Sequence, residues 1–217
     1  MLPMGAIYLS DPRENRLMRP LRKALVFIDW HNVEELLAEN VAQAYRATIP
    51  RIILRIQNEI SSALTRIDST ALYRASLRIY HGWHREDMPT SIRQQFEVVM
   101  QNNNFERTIG IVSFSPDIKF GDELACESDF GRLFDTSRPQ GQKMVDTAIA
   151  CDMLYTLKSG IAHVGVIVSD DDDFIPAAMT ANAWGLDAVL LRGPGHDVSS
   201  VVRGHHAVKF VSHWRAV

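Results

Sequence analysis

The sequence predicts a single α/β domain with a doubly wound, mostly parallel sheet and helices on both faces. Short continuous apolar runs, such as residues 24–28 and 164–168, are typical of strands that are buried on both sides. Stretches with apolar residues at helical spacing lie between these runs. Alternating strands and helices are the pattern of a parallel sheet that is built from right-handed crossovers.

Length and composition are those of one globular domain. The chain has 217 residues, of which 46% are hydrophobic, and its net charge of -3 gives no general argument for binding to nucleic acid or membrane. Cys126 and Cys151 fit no zinc-finger spacing, so we expect reduced thiols and a cytoplasmic location. Charged residues within 1–20 argue against a membrane span there, and we interpret this stretch as an N-terminal extension.

The apolar pattern assigns the elements in order. The strand at 24–28 is followed by a helix that begins at Val33, with Asn32 as its N-cap. Pro50 is expected to interrupt the helical pattern before a second amphipathic helix at 52–67. The remaining predictions are strands at 71–82, 108–114, 164–168, 187–191 and 207–211, helices at 89–104, 143–158, 174–184 and 197–203, and a long loop at 115–142.

Four consecutive aspartates, Asp170 to Asp173, directly follow the strand at 164–168. Adjacent carboxylates repel one another, which raises their pKa values unless a metal ion or a basic side chain neutralises them. A bare acidic run is usually solvated loop. Here an apolar strand and a helix-like segment hold the backbone on both sides, and this position favours a binding site.

Two further aspartates are predicted to lie at the same edge of the sheet. Asp29 follows the first strand, and Asp146 lies in the first turn of the helix that begins near Lys143, where carboxylates are tolerated well. The carboxyl ends of parallel strands form the ligand crevice of an open α/β sheet. Carboxylate ligands without Cys or clustered His favour Mg²⁺ or Mn²⁺ and chemistry on phosphoryl groups. The alternative is an acidic turn and two unconnected helix caps.

Three segments, in this order, resemble the motifs of the NYN domain, a family of the PIN-like nuclease superfamily. They are FIDWHN at 27–32, KMVD at 143–146 and VSDDDDF at 168–174. The family pattern is a strand ending in Asp-x-x-Asn, then Lys-x-x-Asp at a helix start, then a strand ending in Ser-Gly-Asp-x-Asp-Phe. The resemblance extends over 21–211 and assigns 21–217 to one NYN/PIN-like nuclease domain that contains the loop at 115–142.

The resemblance implies a metal-dependent endoribonuclease that hydrolyses RNA phosphodiester bonds and leaves a 5′-phosphate and a 3′-hydroxyl. The implied catalytic and metal-binding residues, with Mg²⁺ or Mn²⁺ as the cofactor, are Asp29, Asp146, Asp171 and Asp173. The implied supporting or substrate-binding residues are Asn32, Lys143 and Ser169. Asp170 departs from the pattern because the family has glycine there, and its charge would either strengthen metal binding or change its geometry. Asp172 stands at a variable position and is expected to face solvent.

Other features leave alternatives open. Seven arginines between Arg46 and Arg85, with Tyr73, Tyr80 and Trp83 as stacking platforms, would suit a groove for single-stranded RNA, but such arginines are more often a solvated helix face. The acidic stretch at 122–135 would act as a lid, a partner-binding segment or a solvated loop. The alternative function is a non-catalytic PIN-like module that binds RNA or protein. Asp152 is about 600° of helix rotation beyond Asp146, so it is expected behind the site.

Overall fold

The structure is a computed structural model that describes residues 19–37, 45–126, 137–138, 141–193 and 210–213. The extension up to residue 18 and the predicted helix at 197–203 lie outside the described residues. In chain order the elements are β1 (Leu21–Asp29), α1 (Trp30–Leu37), α2 (Tyr45–Ile67), β2 (Leu72–Tyr80), β3 (His84–Arg85), β4 (Met88–Pro89), α3 (Ser91–Asn102), β5 (Arg107–Ile109), β6 (Val112–Phe120), β7 (Ser137–Arg138), β8 (Gly141–Gln142), α4 (Val145–Lys158), β9 (Val164–Val168), a 3₁₀ turn (Asp172–Phe174), α5 (Ile175–Ala183), β10 (Asp187–Arg192) and β11 (Phe210–His213).

The main sheet confirms the α/β class. Among the described residues it has seven strands in the order β11-β10-β9-β1-β2-β6-β5. Neighbouring strands are parallel throughout except for the antiparallel pair of β5 and β6. The strand order reverses beside β1, because β2 lies on one side of it and β9 lies on the other. Such a reversal opens a crevice at the carboxyl ends of the strands.

Side chains of β1 alternate between two cores. Val26 and Ile28 pack on one face of the sheet with α2 and α3, whereas Phe27 packs on the other face with α4 and α5. All five residues of β9 are buried, as the unbroken apolar run predicts. Each fully buried aliphatic or phenyl side chain contributes about 1.5 to 3 kcal/mol relative to exposure, so these two layers fix the position of the strand ends.

Pro50 does not interrupt the second helix, contrary to the prediction. It lies inside α2, which begins at Tyr45. A proline removes one hydrogen bond of a helix and costs about 3 kcal/mol in a helix interior. Ile49 and Ile53, on either side of it, are fully buried in the core, so burial of the apolar face offsets that cost.

The predicted strand at 108–114 is instead a hairpin. β5 and β6 are joined at Gly110, whose φ of 57° is a left-handed conformation that glycine adopts without steric cost. β6 continues to Phe120, so the predicted loop at 115–142 begins inside the sheet. The last strand, β11, is described from Phe210 to His213, and residues 207–209 of the predicted strand at 207–211 lie outside the described residues.

Candidate active site

Strand register brings the ends of β1, β9 and β10 to one edge of the sheet. Ile28 is level with Val168 on β9, and Val168 is level with Leu191 on β10. The next residues along the three strands are therefore neighbours: Asp29, Ser169 and Arg192. Two of them are at positions that the sequence singled out, and the third is an arginine to which it gave no role.

Asp29 is the centre of a buried hydrogen-bond group. It is only 2% exposed, and its Oδ2 atom accepts hydrogen bonds from Asn32 Nδ2 at 2.6 Å and from Ser169 Oγ at 2.9 Å. Burial raises the pKa of Asp29 above its ordinary value, and the hydrogen bonds from Asn32 and Ser169 oppose that rise. The carboxylate is thus held in one orientation by two different segments of the chain.

Asn32 is not the N-cap of α1, contrary to the prediction. The helix begins at Trp30, so Asp29 occupies the capping position and its carboxylate also accepts a hydrogen bond from the backbone of Asn32. The apolar residues at helical spacing begin only at Val33, so the sequence pattern predicts a later start than the observed one. Trp30 is fully buried against Phe96, and this packing extends the helix back to the end of β1.

The four consecutive aspartates divide into two pairs with different partners. Asp171 donates its backbone N–H to Ser169 Oγ at 3.1 Å, and its Oδ1 atom accepts the backbone N–H of Asp173 at 2.9 Å. Asp171 is therefore the N-cap of the 3₁₀ turn that leads into α5. Ser169 connects this pair to Asp29, because the same hydroxyl donates to Asp29 and accepts from Asp171.

Asp170 and Asp172 are bound instead by the end of β10. Arg192 is buried and forms an ion pair with Asp172 Oδ1 at 2.8 Å, while its Nη2 also donates to the backbone carbonyl of Asp170. The Asp170 Oδ1 atom accepts the backbone N–H of Gly193 at 2.5 Å. The extra carboxylate of Asp170 thus has a partner directly after β10, and the 49% exposed Asp172 is paired as well as solvated.

Arg192 is the site residue that the sequence reasoning missed. The signal was present, because this arginine directly follows a run of buried apolar residues and lies at the end of a strand that is parallel to β9. A basic side chain at that edge is a neutralising partner for an acidic run on the neighbouring strand. The predicted strand ends at Leu191, so Arg192 lies just beyond it.

Asp146 reaches the same group of carboxylates from α4. Met144, the residue that precedes the helix, has a left-handed φ of 67°, and Asp146 lies in the first helical turn. Loss of hydration and then the negative charges of Asp29, Asp171 and Asp173 raise the pKa of Asp146 to about 6. The four carboxylates are therefore close enough for their charges to interact.

The donors are carboxylates, the ligand type that a hard divalent cation prefers, although they do not form a closed cage. Within the described part of the chain, no three side chains of His, Cys, Asp or Glu are gathered closely enough to hold a metal ion by themselves. Mg²⁺ keeps several of its waters and is usually bound by one or two carboxylates together with substrate phosphates. An open set of carboxylates is compatible with that kind of binding.

The remaining predicted features lie elsewhere or have another role. Lys143 is exposed before α4, next to the segment that carries Asp146. Tyr73, Tyr80 and Trp83 are at most 1% exposed, so their interpretation as stacking platforms for RNA is wrong. Alternation along β2 directs Arg78 to the face that holds Tyr80, opposite to the face covered by α2. The arginines of α2 and β2 therefore do not form a single groove.

Asp152 lies behind the site and binds β2 and the segment after β6. Its Oδ2 atom accepts a hydrogen bond from the Tyr80 hydroxyl at 2.5 Å and lies 3.2 Å from Arg78 Nε. Its Oδ1 atom accepts the backbone N–H of Ala125 at 2.7 Å. This buried carboxylate attaches α4 to the opposite half of the sheet. Residues 127–135 of the acidic stretch lie outside the described residues.

His81 follows β2 beside the site and makes folding stability depend on pH. Burial lowers the pKa of His81 to about 4, with a smaller contribution from His31. Between about pH 6.5 and pH 4 the unfolded chain binds more protons at this position, so the free energy of unfolding falls as the pH falls through this range.

We expect His81→Gln to remove this dependence. Relative to the variant, the wild type should lose about 2 kcal/mol of unfolding free energy between pH 7 and pH 5, as measured by urea unfolding. Equal losses in the two proteins would show that His81 titrates normally.

In the described part of the chain, no helix has the length and apolar character that crossing a membrane requires.

Comparisons of the chain with protein-family models, curated proteins and solved structures gave no significant match. The resemblance to the NYN domain stays a prediction that rests on the three motifs.

Proposed function

We propose that this protein is a metal-dependent endoribonuclease that hydrolyses phosphodiester bonds of RNA. One observation carries the proposal: carboxylates from three separate segments share one electrostatic site, so that Asp29, Asp171 and Asp173 all raise the pKa of Asp146. Proteins tolerate such mutual repulsion chiefly where the charges bind a cation or perform chemistry. The choice of RNA as substrate rests on the resemblance to the NYN domain.

The residues proposed to hold Mg²⁺ or Mn²⁺ are Asp29, Asp146, Asp171 and Asp173. A bound divalent ion supplies polarisation of the phosphoryl group and offsets the negative charge that develops on the leaving oxygen. Hydrolysis adds water to phosphorus and breaks the bond to the 3′ oxygen, which gives a 5′-phosphate and a 3′-hydroxyl. Loss of hydration and then the neighbouring carboxylate charges raise the pKa of Asp146, and a bound cation would offset the second of these causes.

The protein's own side chains orient the acidic groups. Asn32 and Ser169 fix the Asp29 carboxylate by hydrogen bonds of 2.6 and 2.9 Å, and Ser169 also fixes the backbone at Asp171. Preorganised groups of this kind avoid the energetic cost of reorganisation during the reaction. Lys143, exposed two residues before α4, is proposed to bind a phosphate of the substrate.

A second candidate is a non-catalytic module that binds RNA or protein. The observation in its favour is that no three acidic, histidine or cysteine side chains close around an ion among the described residues. Arg192 also neutralises part of the acidic run without a metal. Both candidates require the same fold and the same arrangement of side chains at the edge of the sheet. They differ in whether the protein cleaves the RNA that it binds.

The test is cleavage of a panel of single-stranded RNA, hairpin RNA and single-stranded DNA by the wild-type protein. We expect cutting of RNA with Mn²⁺ or Mg²⁺, loss of cutting in EDTA, and recovery when excess Mn²⁺ is added back. Mapping of the ends should show a 5′-phosphate and a 3′-hydroxyl. RNA that is bound but never cut would favour the second candidate, and cutting that persists in EDTA would contradict the metal mechanism.

A further inference from the structure

A cavity of about 650 Å³ opens at the carboxyl end of β2, outside the carboxylate group. The lining residues on which the argument depends are His81, Glu86, Met88, Pro89, Ser91 and Ile92. They come from the segment after β2, from the short hairpin of β3 and β4, and from the start of α3. None of these residues belongs to the proposed metal site.

The cavity lies one strand away from Asp29. Asp29 is level with Tyr80 on the neighbouring strand, and His81 follows Tyr80 directly. Adjacent strands are about 5 Å apart, so the end of β2 lies about this distance from the end of β1. The ring centroids of His31 and His81 are 6.3 Å apart. His31, in the first turn of α1, therefore lies next to the cavity wall that His81 forms.

The lining combines apolar surface with a few polar groups. Met88, Pro89 and Ile92 supply apolar atoms, and Met88 is 68% exposed on the hairpin. His81 Nδ1 is a buried nitrogen without a hydrogen-bond partner in the described structure. Glu86 and Ser91 are exposed and add polar groups at the opening. Ligand pockets of this size typically have mainly apolar walls and a small number of polar groups that fix orientation.

We propose that this cavity receives one unpaired nucleobase of the RNA, next to the phosphate that is cleaved at the carboxylate group. The inference rests on the proposed function and adds a substrate class, because only single-stranded RNA or an unpaired loop can extend a base away from its neighbours. Sequence-dependent recognition of RNA generally uses such splayed bases, which bind in pockets through their flat faces and polar edges. Fully paired RNA is then a poor substrate.

The first test fills the cavity. Ser91 is exposed at the start of α3, so Ser91→Trp should place an indole in the cavity while leaving the core unchanged. Gln101→Trp is the matched control, because Gln101 is exposed on the same helix and does not line the cavity. Binding of fluorescein-labelled single-stranded RNA, measured in EDTA to prevent turnover, should weaken about tenfold for Ser91→Trp and remain unchanged for Gln101→Trp. Equal affinities in all three proteins would overturn the proposal.

A second measurement needs no protein variant. Abasic residues are introduced one position at a time along an RNA whose cleavage site has been mapped, and binding to the wild-type protein is measured in EDTA. Loss of a base that fills the cavity should weaken binding about tenfold at one position beside the cleavage site. Similar affinities at every position would contradict the proposal, even if Ser91→Trp failed to fold.

The two proposals fail in different ways. If RNA is cut with Mn²⁺ but neither the indole nor any abasic position changes binding, the cavity has no role in base recognition and the nuclease proposal stands. If binding depends on one base but no cutting occurs with Mn²⁺ or Mg²⁺, the nuclease proposal is wrong. In that case no cleavage site can be mapped, so the abasic scan covers the whole RNA. If one abasic position weakens binding to the wild type but has no effect on binding to Ser91→Trp, the cavity is supported as a base-binding site. Absence of RNA binding in EDTA would overturn the cavity proposal.

Discussion

Asp146→Asn is expected to lower metal-dependent RNA cleavage about a hundredfold or more while the fold stays intact. The substitution keeps the size of the side chain but removes one of the four charges that share the site. Metal catalysis supplies several kcal/mol of stabilisation to a phosphoryl transition state, and each 1.4 kcal/mol corresponds to about tenfold in rate. Asp146 is exposed in the first turn of α4, whose buried residues include Val145 and Ile149, so packing should not change.

Initial cleavage rates with Mn²⁺, compared with those of Asp117→Asn, provide the measurement. Asp117 is an exposed aspartate on β6, on the other half of the sheet from β9 and α4, and its loss should leave the rate unchanged. Thermal unfolding of both variants should match the wild type within a few degrees. A wild-type rate in Asp146→Asn would remove this residue from the mechanism and with it the main support for the nuclease proposal.

Asp152→Ala is expected to destabilise the protein by about 3 kcal/mol or more, which is the largest effect on stability that we predict. The side chain is 1% exposed and accepts hydrogen bonds from the Tyr80 hydroxyl and the Ala125 backbone, in addition to its ion pair with Arg78. Alanine would leave a hydroxyl and an amide without their acceptor, and the partly buried guanidinium of Arg78 would keep its hydrogen bond to the Glu123 carbonyl but lose its counter-charge. For a chain of this size the melting temperature should fall by about 10 °C.

Tyr80→Phe separates the contribution of one hydrogen bond from that of the carboxylate. It removes only the hydroxyl, so it should cost about 1 kcal/mol, and Asp152 keeps its contacts to Arg78 and Ala125. Urea unfolding of the two variants, with the slope against urea checked for constancy, gives both free energies. If Asp152→Ala were less destabilising than Tyr80→Phe, the buried carboxylate would not be the connection between α4 and β2.

The parts of the fold that follow from local pattern could be predicted from the sequence. The apolar run before Asp29 and the run before Ser169 are unmistakable as buried strands, and parallel strands necessarily bring their carboxyl ends together. The helix that carries Asp146 was placed within two residues of its observed start. Three of the segments that supply the candidate site could therefore be predicted from local apolar patterns alone.

The parts that depend on long-range packing could not be predicted in the same way. The pairing of Arg192 with Asp172 depends on the register of β10 beside β9, which no local pattern specifies. Burial of Trp83 against Phe96 similarly depends on where α3 crosses the sheet, so the sequence could not tell a core aromatic from a stacking surface. Pro50 is tolerated for the same reason, because tertiary burial of α2 outweighs local propensity.

The division of the acidic run into two pairs also bears on how this site can evolve. Arg192 contacts both the Asp170 carbonyl and the Asp172 carboxylate, and Gly193 binds the Asp170 carboxylate, so the tip of β10 compensates two negative charges that the family pattern does not require. A mutation at 172 alone would leave the buried guanidinium of Arg192 without its counter-charge, which selection disfavours. Homologous chains should therefore inherit an arginine at 192 together with an acid at 172, or lose both together.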